Sequence, residues 1–183
     1  MLPEAKGELT FAIYHIEKDD IITRDPSNPT LRVQGGKQSS RGIELAATLF
    51  PVNHWRTDLN MALVDARYDA LLEAGGVSRA GNTPIDVPKK IANAWVYYQQ
   101  TSWEAGIGAR MVGKRFANNA NTSTMQGYTV YDASIAWRVN PKTTLRGNLR
   151  NLTDKLYAPV SYAAQQFILG ESRRAELTAE LAF

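Results

Sequence analysis

Cysteine is absent from the 183 residues. That removes structural disulfides, thiolate zinc sites, iron–sulfur clusters and cysteine nucleophiles from consideration. No apolar run approaches the roughly 18–20 residues that a membrane-crossing helix needs. Histidine occurs only at His15 and His54, too isolated in sequence to suggest a shared metal site. No Ser/His/Asp arrangement points to hydrolysis. Gly106-Ile107-Gly108 lies inside a strand pattern with no helix after it, so it is not a phosphate loop; small residues there ease close packing or curvature. Neither sign of charge is in large excess, with 21 Lys and Arg against 18 Asp and Glu. The basic residues are dispersed, so nucleic acid is not suggested. No metal or cofactor is implied.

What is present is alternation. From Glu171 to Phe183, the residues Ala175, Leu177, Ala179, Leu181 and Phe183 fall on one side of an extended chain and Glu176, Thr178 and Glu180 on the other. Period two marks a strand with one apolar and one polar face. Residues 7–17 repeat it, with Leu9, Phe11 and Ile13 against Glu8, Thr10, Ala12 and Tyr14. So do residues 40–50, the stretch from Trp55, residues 89–100, and those around Ile107, Ile135 and Leu145. The total is about eight strands of roughly ten residues, the length a tilted strand needs to cross a bilayer. Mean hydropathy is negative, but a barrel strand carries apolar residues only at alternate positions, so such averages do not exclude a membrane wall.

The connections fall into two kinds. Short ones are expected at Pro51–His54, Gln100–Ser102 and Asn140-Pro141, and long ones at about 18–31, 69–88, 116–126 and 152–170. The long ones are rich in Gly, Pro, Asn, Ser and Asp. Short and long alternate strictly, as in outer-membrane barrels with brief periplasmic turns and extended outer loops. Tyr14, Trp55, Tyr68, Trp103, Tyr128, Trp137 and Tyr157 stand near expected strand ends, where interfacial aromatic girdles form. Arg110, Lys114, Arg115, Arg138, Arg146 and Arg150 have the parity of a polar lumen or lie at strand ends. A basic lumen would attract an anionic ligand, although acids such as Glu104, Asp132 and Glu176 share that parity. Asp19-Asp20 reads as a solvated loop pair.

Several stretches, taken in order, resemble TonB-dependent outer-membrane receptors of the siderophore branch. Gly35–Leu45 is similar to their "G…S-R-G-x-E-L" strand, and Asn82–Lys89 to their "G-N-x-x-x-x-V-P" loop. Val112–Thr122 resembles "V-G-x-R-Y-A-D-x-A-N-T", and Gly127–Ala133 resembles "G-Y-T-V-x-D-A". Arg150–Tyr157 resembles "N-L-F-D-K-x-Y" with Thr153 in place of Phe, and Gly170–Arg173 resembles "G-E-P-R" with Ser172 in place of Pro.

The resemblance implies an all-β, antiparallel, up-and-down transmembrane barrel segment spanning residues 1–183 as the carboxy-terminal part of a larger barrel. The plug domain, amino-terminal strands and export signal are expected outside this chain. It implies a non-enzymatic role in the cell outer membrane: energy-coupled uptake of a ferric siderophore. The partners would be outer-membrane lipid, the barrel assembly machinery and, through the absent amino-terminal region, the TonB complex. Leu177, Ala179, Leu181 and Phe183 would form the assembly signal. The residues themselves leave other readings open: a self-standing eight-stranded barrel with a structural or adhesion role, a soluble β-barrel or sandwich binder, and an outer-membrane hydrolase. Pairing of the first and last strands would favour the small closed barrel.

Overall fold

The computed structural model describes residues 6–182. In chain order the strands are β1 (Lys6–Arg24), β2 (Arg32–Phe50), β3 (Trp55–Ala70), β4 (Leu72–Glu73), β5 (Val77–Ser78), β6 (Lys90–Gln99), β7 (Trp103–Val112), β8 (Arg115–Phe116), β9 (Thr124–Met125), β10 (Tyr128–Asn140), β11 (Thr143–Arg150), β12 (Val160–Ala163), β13 (Gln166–Ile168) and β14 (Arg174–Leu181). Eight of them make one sheet in the order β1-β2-β3-β6-β7-β10-β11-β14. Every neighbouring pair in it is antiparallel. The other six are three small hairpins in the long loops.

The ladder registers carry the alternation across the whole sheet. Ile13 opposes Ile43, which opposes Leu63. Leu59 opposes Ala94, which opposes Ala109. Ile107 opposes Ala133, Ala133 opposes Leu149, and Leu149 opposes Ala175. These residues share one continuous apolar face, and little protein covers it: Leu177 is 91% exposed, Ile13 72% and Leu9 67%. Buried apolar side chains among the described residues are few, such as Ala47, Ala66 and Val130. A sheet with this much uncovered apolar surface has no aqueous core to bury it. A lipid exterior satisfies it, while the backbone is satisfied within the ladder.

The apolar face has chemical borders. At the short-turn end stand Trp55, Tyr98, Trp103 and Trp137; Trp55 meets Tyr98 edge-on at 5.1 Å, and Trp103 opposes Trp137. Towards the long loops, the row after Ile13-Ile43-Leu63 is His15-Arg41-Asp65. There Arg41 Nη2 lies 3.0 Å from Asp65 Oδ2 and Arg67 Nε 3.2 Å from Asp69 Oδ1. From Trp55 to Leu63 the strand covers about 27 Å, close to the ~25 Å apolar band of an outer-membrane wall.

Three expectations need correction. The first long connection is only residues 25–31, because β1 and β2 run for 19 residues each. Their outer halves keep pairing beyond the apolar band, where Lys18, Asp19 and Asp20 break the apolar alternation and make residues 18–24 look like a loop. Asp19 and Asp20 lie in this hairpin, at a bulge between Lys18 and Ile21; Asp20 takes a φ of 55°, and Asp19 is salt-bridged to Lys37 at 2.9 Å. The last strand starts at Arg174, not Glu171, because residues 171–173 are held by a loop described below. Of the aromatics expected in girdles, Trp55, Trp103 and Trp137 are on the apolar face. Tyr14, Tyr68 and Tyr128 have the opposite parity and face the polar side, and Tyr157 is in a loop.

Candidate functional site

The polar face is a row of paired charges and laid-down aromatics. Arg56 stacks over Tyr97 with its Cζ 4.2 Å from the ring centroid and lies 3.2 Å from Asp58. Arg146 bonds Glu180 through Nε at 3.0 Å. Arg174 reaches Glu176 at 2.6 Å, and Arg150 sits 3.6 Å from Glu176. Trp95 and Tyr97 stack at 5.4 Å and 11°. They lie flat because the residues opposite on β7 are Gly108 and Gly106, where any Cβ would collide with these rings.

The residues expected to face a lumen fall in different places. Arg110 is on this face, opposite Asn93 and Val130, with Nη2 donating to the Tyr157 hydroxyl at 3.5 Å. Arg146 is on it too, neutralised by Glu180. Arg138 shares the parity near a short turn and donates to the Thr101 carbonyl at 3.1 Å. Lys114 is outside the barrel strands, in the loop after β7, with its Nζ 5.8 Å from the Phe116 ring centroid. Leu177, Ala179 and Leu181 line the apolar face of β14, and Phe183 lies outside the described residues.

Over one end of the polar face, the three long loops are tied to one another. Between the loop after β3 and the loop after β7, Asn82 Nδ2 donates to the Asn119 carbonyl at 2.7 Å. The Thr83 amide donates to Asn121 Oδ1 at 2.8 Å, and Asn121 Nδ2 returns a bond to the Thr83 carbonyl at 2.9 Å. The Tyr68 hydroxyl donates to Asn119 Oδ1 at 2.8 Å, and Asn119 Nδ2 donates to Glu73 Oε1 at 2.9 Å. Burial pushes the Glu73 carboxyl up. The hydrogen bonds from Asn119 and Arg79, with the Arg79 charge, outweigh it and hold the group below its ordinary value.

The loop after β11 is bound to both of the others. The Ser161 hydroxyl donates to Asp86 Oδ2 at 2.8 Å, and its amide to the same oxygen at 3.1 Å. Arg115 Nη2 donates to the Ala158 carbonyl at 2.6 Å, and Nη1 to that of Pro159. Ser123 Oγ donates to the Ala164 carbonyl.

The base of this loop is a knot around Asn151, which is 3% exposed with φ 49°. Its amide donates to Asp132 Oδ1 at 2.7 Å, and its Nδ2 to the Lys155 and Glu171 carbonyls at 2.9 Å each. Its Oδ1 accepts the Lys155 amide at 2.8 Å. Asp154, with φ 50°, accepts the Arg173 amide at 2.7 Å. Left-handed backbone favours Asn and Asp among residues with a side chain. Holding Glu171 and Arg173 in this knot is what delays the start of β14.

Between the polar face and this loop is a cleft of about 500 Å³ whose lining includes Trp95, Arg110, Arg150, Tyr157, Pro159 and Gly170. Its size is in the usual range for a small-molecule site. The Tyr157 ring packs at 4.5 Å on Tyr128 and over Gly170, where a Cβ would strike it. Sequence reasoning placed Arg115 only among the basic residues of a possible lumen and assigned no role to Asn119, Asn121 and Asn151, although it singled out the stretches that contain them. Their signal was local: Asn and Asp clustered in loops, with Asp86, Asn121, Asn151 and Asp154 all at positive φ.

The family model described as TonB dependent receptor-like, beta-barrel matches residues 3–152. The Ferrioxamine receptor of Yersinia enterocolitica is 27% identical across 96% of this chain and 25% of its own length. The probable TonB-dependent siderophore receptor PiuA of Acinetobacter baumannii is 29% identical across 92% of this chain and 24% of its own. The crystal structure of PiuA superposes with a TM-score of 0.76 at 27% identity, covering 94% of this chain and 25% of that one. The chain thus spans about a quarter of the length of the relatives it matches.

Proposed function

Since this chain belongs to the TonB-dependent receptor β-barrel family of the bacterial outer membrane, we propose that it serves as part of the wall of a receptor taking up ferric siderophores. Uptake is energised by the TonB complex acting through a region outside this chain. The reading is carried by one observation: an outer-membrane sheet whose long loops are bound together above a ligand-sized cleft on its polar face. The names of the two relatives, a ferrioxamine receptor and a siderophore receptor, support the ligand class. The iron stays with its chelator, so the wall has to recognise a chelate rather than ligate a metal, and no chemical step is required of it.

Arg110 is the basic residue of the polar face best placed to meet a chelate, since Arg146, Arg150 and Arg174 each have a carboxylate beside them. The apolar row Leu177, Ala179 and Leu181 with Phe183 is the segment offered to the barrel assembly machinery. A self-standing eight-stranded barrel is not favoured, because β1 and β14 are the two edges of the sheet and do not pair with each other.

The test is uptake. The gene encoding this chain is disrupted in its host under iron limitation, and radioiron import is followed from a panel of hydroxamate and catecholate ferric chelates. Loss of import for one chelate class, restored by the intact gene, is the expected result. Unchanged import across the panel would refute the proposal.

A further inference from the structure

Arg115 is 3% exposed and is salt-bridged to no carboxylate among the described residues. Burying a guanidinium is costly unless the surrounding dipoles compensate. What surrounds it is the Ala158 and Pro159 carbonyls, each accepting from one arm of the guanidinium, and the Tyr128 ring, whose centroid is 5.6 Å from Cζ. Its Nε has no partner. β8 is a two-residue strand paired to β9, and from it the Arg115 side chain reaches a segment 43 residues along the chain, at Ala158.

The two carbonyls belong to the segment that walls the cleft: Tyr157 and Pro159 line it, and Ala158 lies between them. Tyr128, beneath the guanidinium, is also the ring against which Tyr157 packs. One side chain therefore grips the cleft wall by its backbone while sharing the aromatic support of its principal side chain.

We propose that Arg115 is a positioning residue for ligand recognition, holding Tyr157 and Pro159 in place so that a ligand meets a preformed wall. The ligand's identity as a ferric chelate rests on the function proposed above; the positioning role does not. A buried cation without an acid partner can also act in the opposite sense, because rehydrating it favours lifting the loop. The planar fork on two carbonyls, together with the ring, argues for holding.

Hydrogen exchange on the full chain in lipid nanodiscs separates the two. The reporters are the Gly170 amide, bonded to the Tyr157 carbonyl at 2.9 Å, and the Ser161 amide on Asp86. The Lys155 amide on Asn151 is the internal control. Arg115→Met is expected to speed exchange at Gly170 and Ser161 about tenfold, equivalent to about 1.4 kcal/mol, and to leave Lys155 unchanged. Arg115→Lys should recover part of the protection. Unchanged or slower exchange in the Met variant would overturn the proposal. Should that variant fail to form its sheet, Arg115→Lys decides: wild-type protection there refutes the fork, and intermediate protection supports it.

In the host, the same substitutions are read on the chelate whose import depends on the gene. A half-saturating concentration raised about tenfold at an unchanged maximal rate, partly restored by Lys, is the expected split; a fall in maximal rate alone counts against positioning. If no chelate depends on the gene, the uptake reading fails, and the exchange rates still decide the role of Arg115.

Discussion

Asn151 shows how much one side chain can organise when its backbone is left-handed. Its amide, carboxamide nitrogen and carboxamide oxygen all have partners at 2.7–2.9 Å. Alanine would lose the side-chain bonds and strain the backbone, so Asn151→Ala should destabilise the loop by about 2–4 kcal/mol. The measurement is exchange at Lys155 and Arg173; wild-type rates there would contradict the knot. Glu73 supplies a pH dependence. Its carboxyl is held below its ordinary value by Asn119 and Arg79 despite burial. A depressed folded-state pKa contributes stability that is fully present above the unfolded value, near pH 4, and is lost as pH falls through the folded value. The tie between Glu73 and Asn119 should therefore loosen only in acid, seen as faster exchange around Arg79, and Glu73→Gln should flatten that profile. Gly108 is a third such site: Gly108→Ala would force the Trp95 ring off the sheet, at a cost of about 1–3 kcal/mol. Trp95 fluorescence in a background with the other tryptophans changed to Phe would report it as a shift in emission.

At the scale of the strand, parity decides tolerance. Leu45 on β2 opposes Phe11 and Met61 on the apolar face, whereas Ala46 opposes Thr10 and Asn60 on the polar one. Leu45→Lys should cost about 2–4 kcal/mol, the range for a charge near the middle of the apolar band, and Ala46→Lys should cost far less. Urea titration of the refolded chain in lipid would rank the two, and equal losses would dismiss the assignment of faces. The same parity explains the aromatics. Tyr14 shares the side of Glu8 and Thr10, and that was readable in the alternation; closeness to a strand end suggested a girdle, but side was the better guide. The long β1–β2 hairpin was not readable in this way. Its outer half pairs strand to strand in water, where nothing enforces an apolar alternation, so Lys18, Asp19 and Asp20 look like loop residues although β1 runs on to Arg24.

For the whole molecule, the open sheet is the governing fact. β1 and β14 stand at opposite edges, so neither edge finds a partner in this sheet, a state that natural barrels avoid by closure. The absence of native cysteine makes this easy to test. A cysteine pair at Ala133 and Leu149, directly opposed across β10 and β11, should cross-link within one chain in the membrane. A pair at Leu9 and Leu177, on the two edge strands, should not. Efficient cross-linking of the second pair would show that the sheet closes on itself. The loops are likewise a property of the whole, because each of the three is bonded to the other two and none of them is held only by its own hairpin.

Alternation and the rhythm of short and long connections were enough, from the sequence by itself, to specify an antiparallel up-and-down wall with one face in lipid. Both are local properties: side-chain parity is set by the two-residue repeat of an extended chain, and turn chemistry by a few adjacent residues. The tied loops, the cleft and the role of Arg115 were decided only by the tertiary structure. Their partners are 38 residues apart for Thr83 and Asn121, 43 for Arg115 and Ala158, and 75 for Asp86 and Ser161. A single sequence contains no periodicity that links residues at such separations; the antiparallel order of the sheet, built strand by strand, is what brings their loops to the same end.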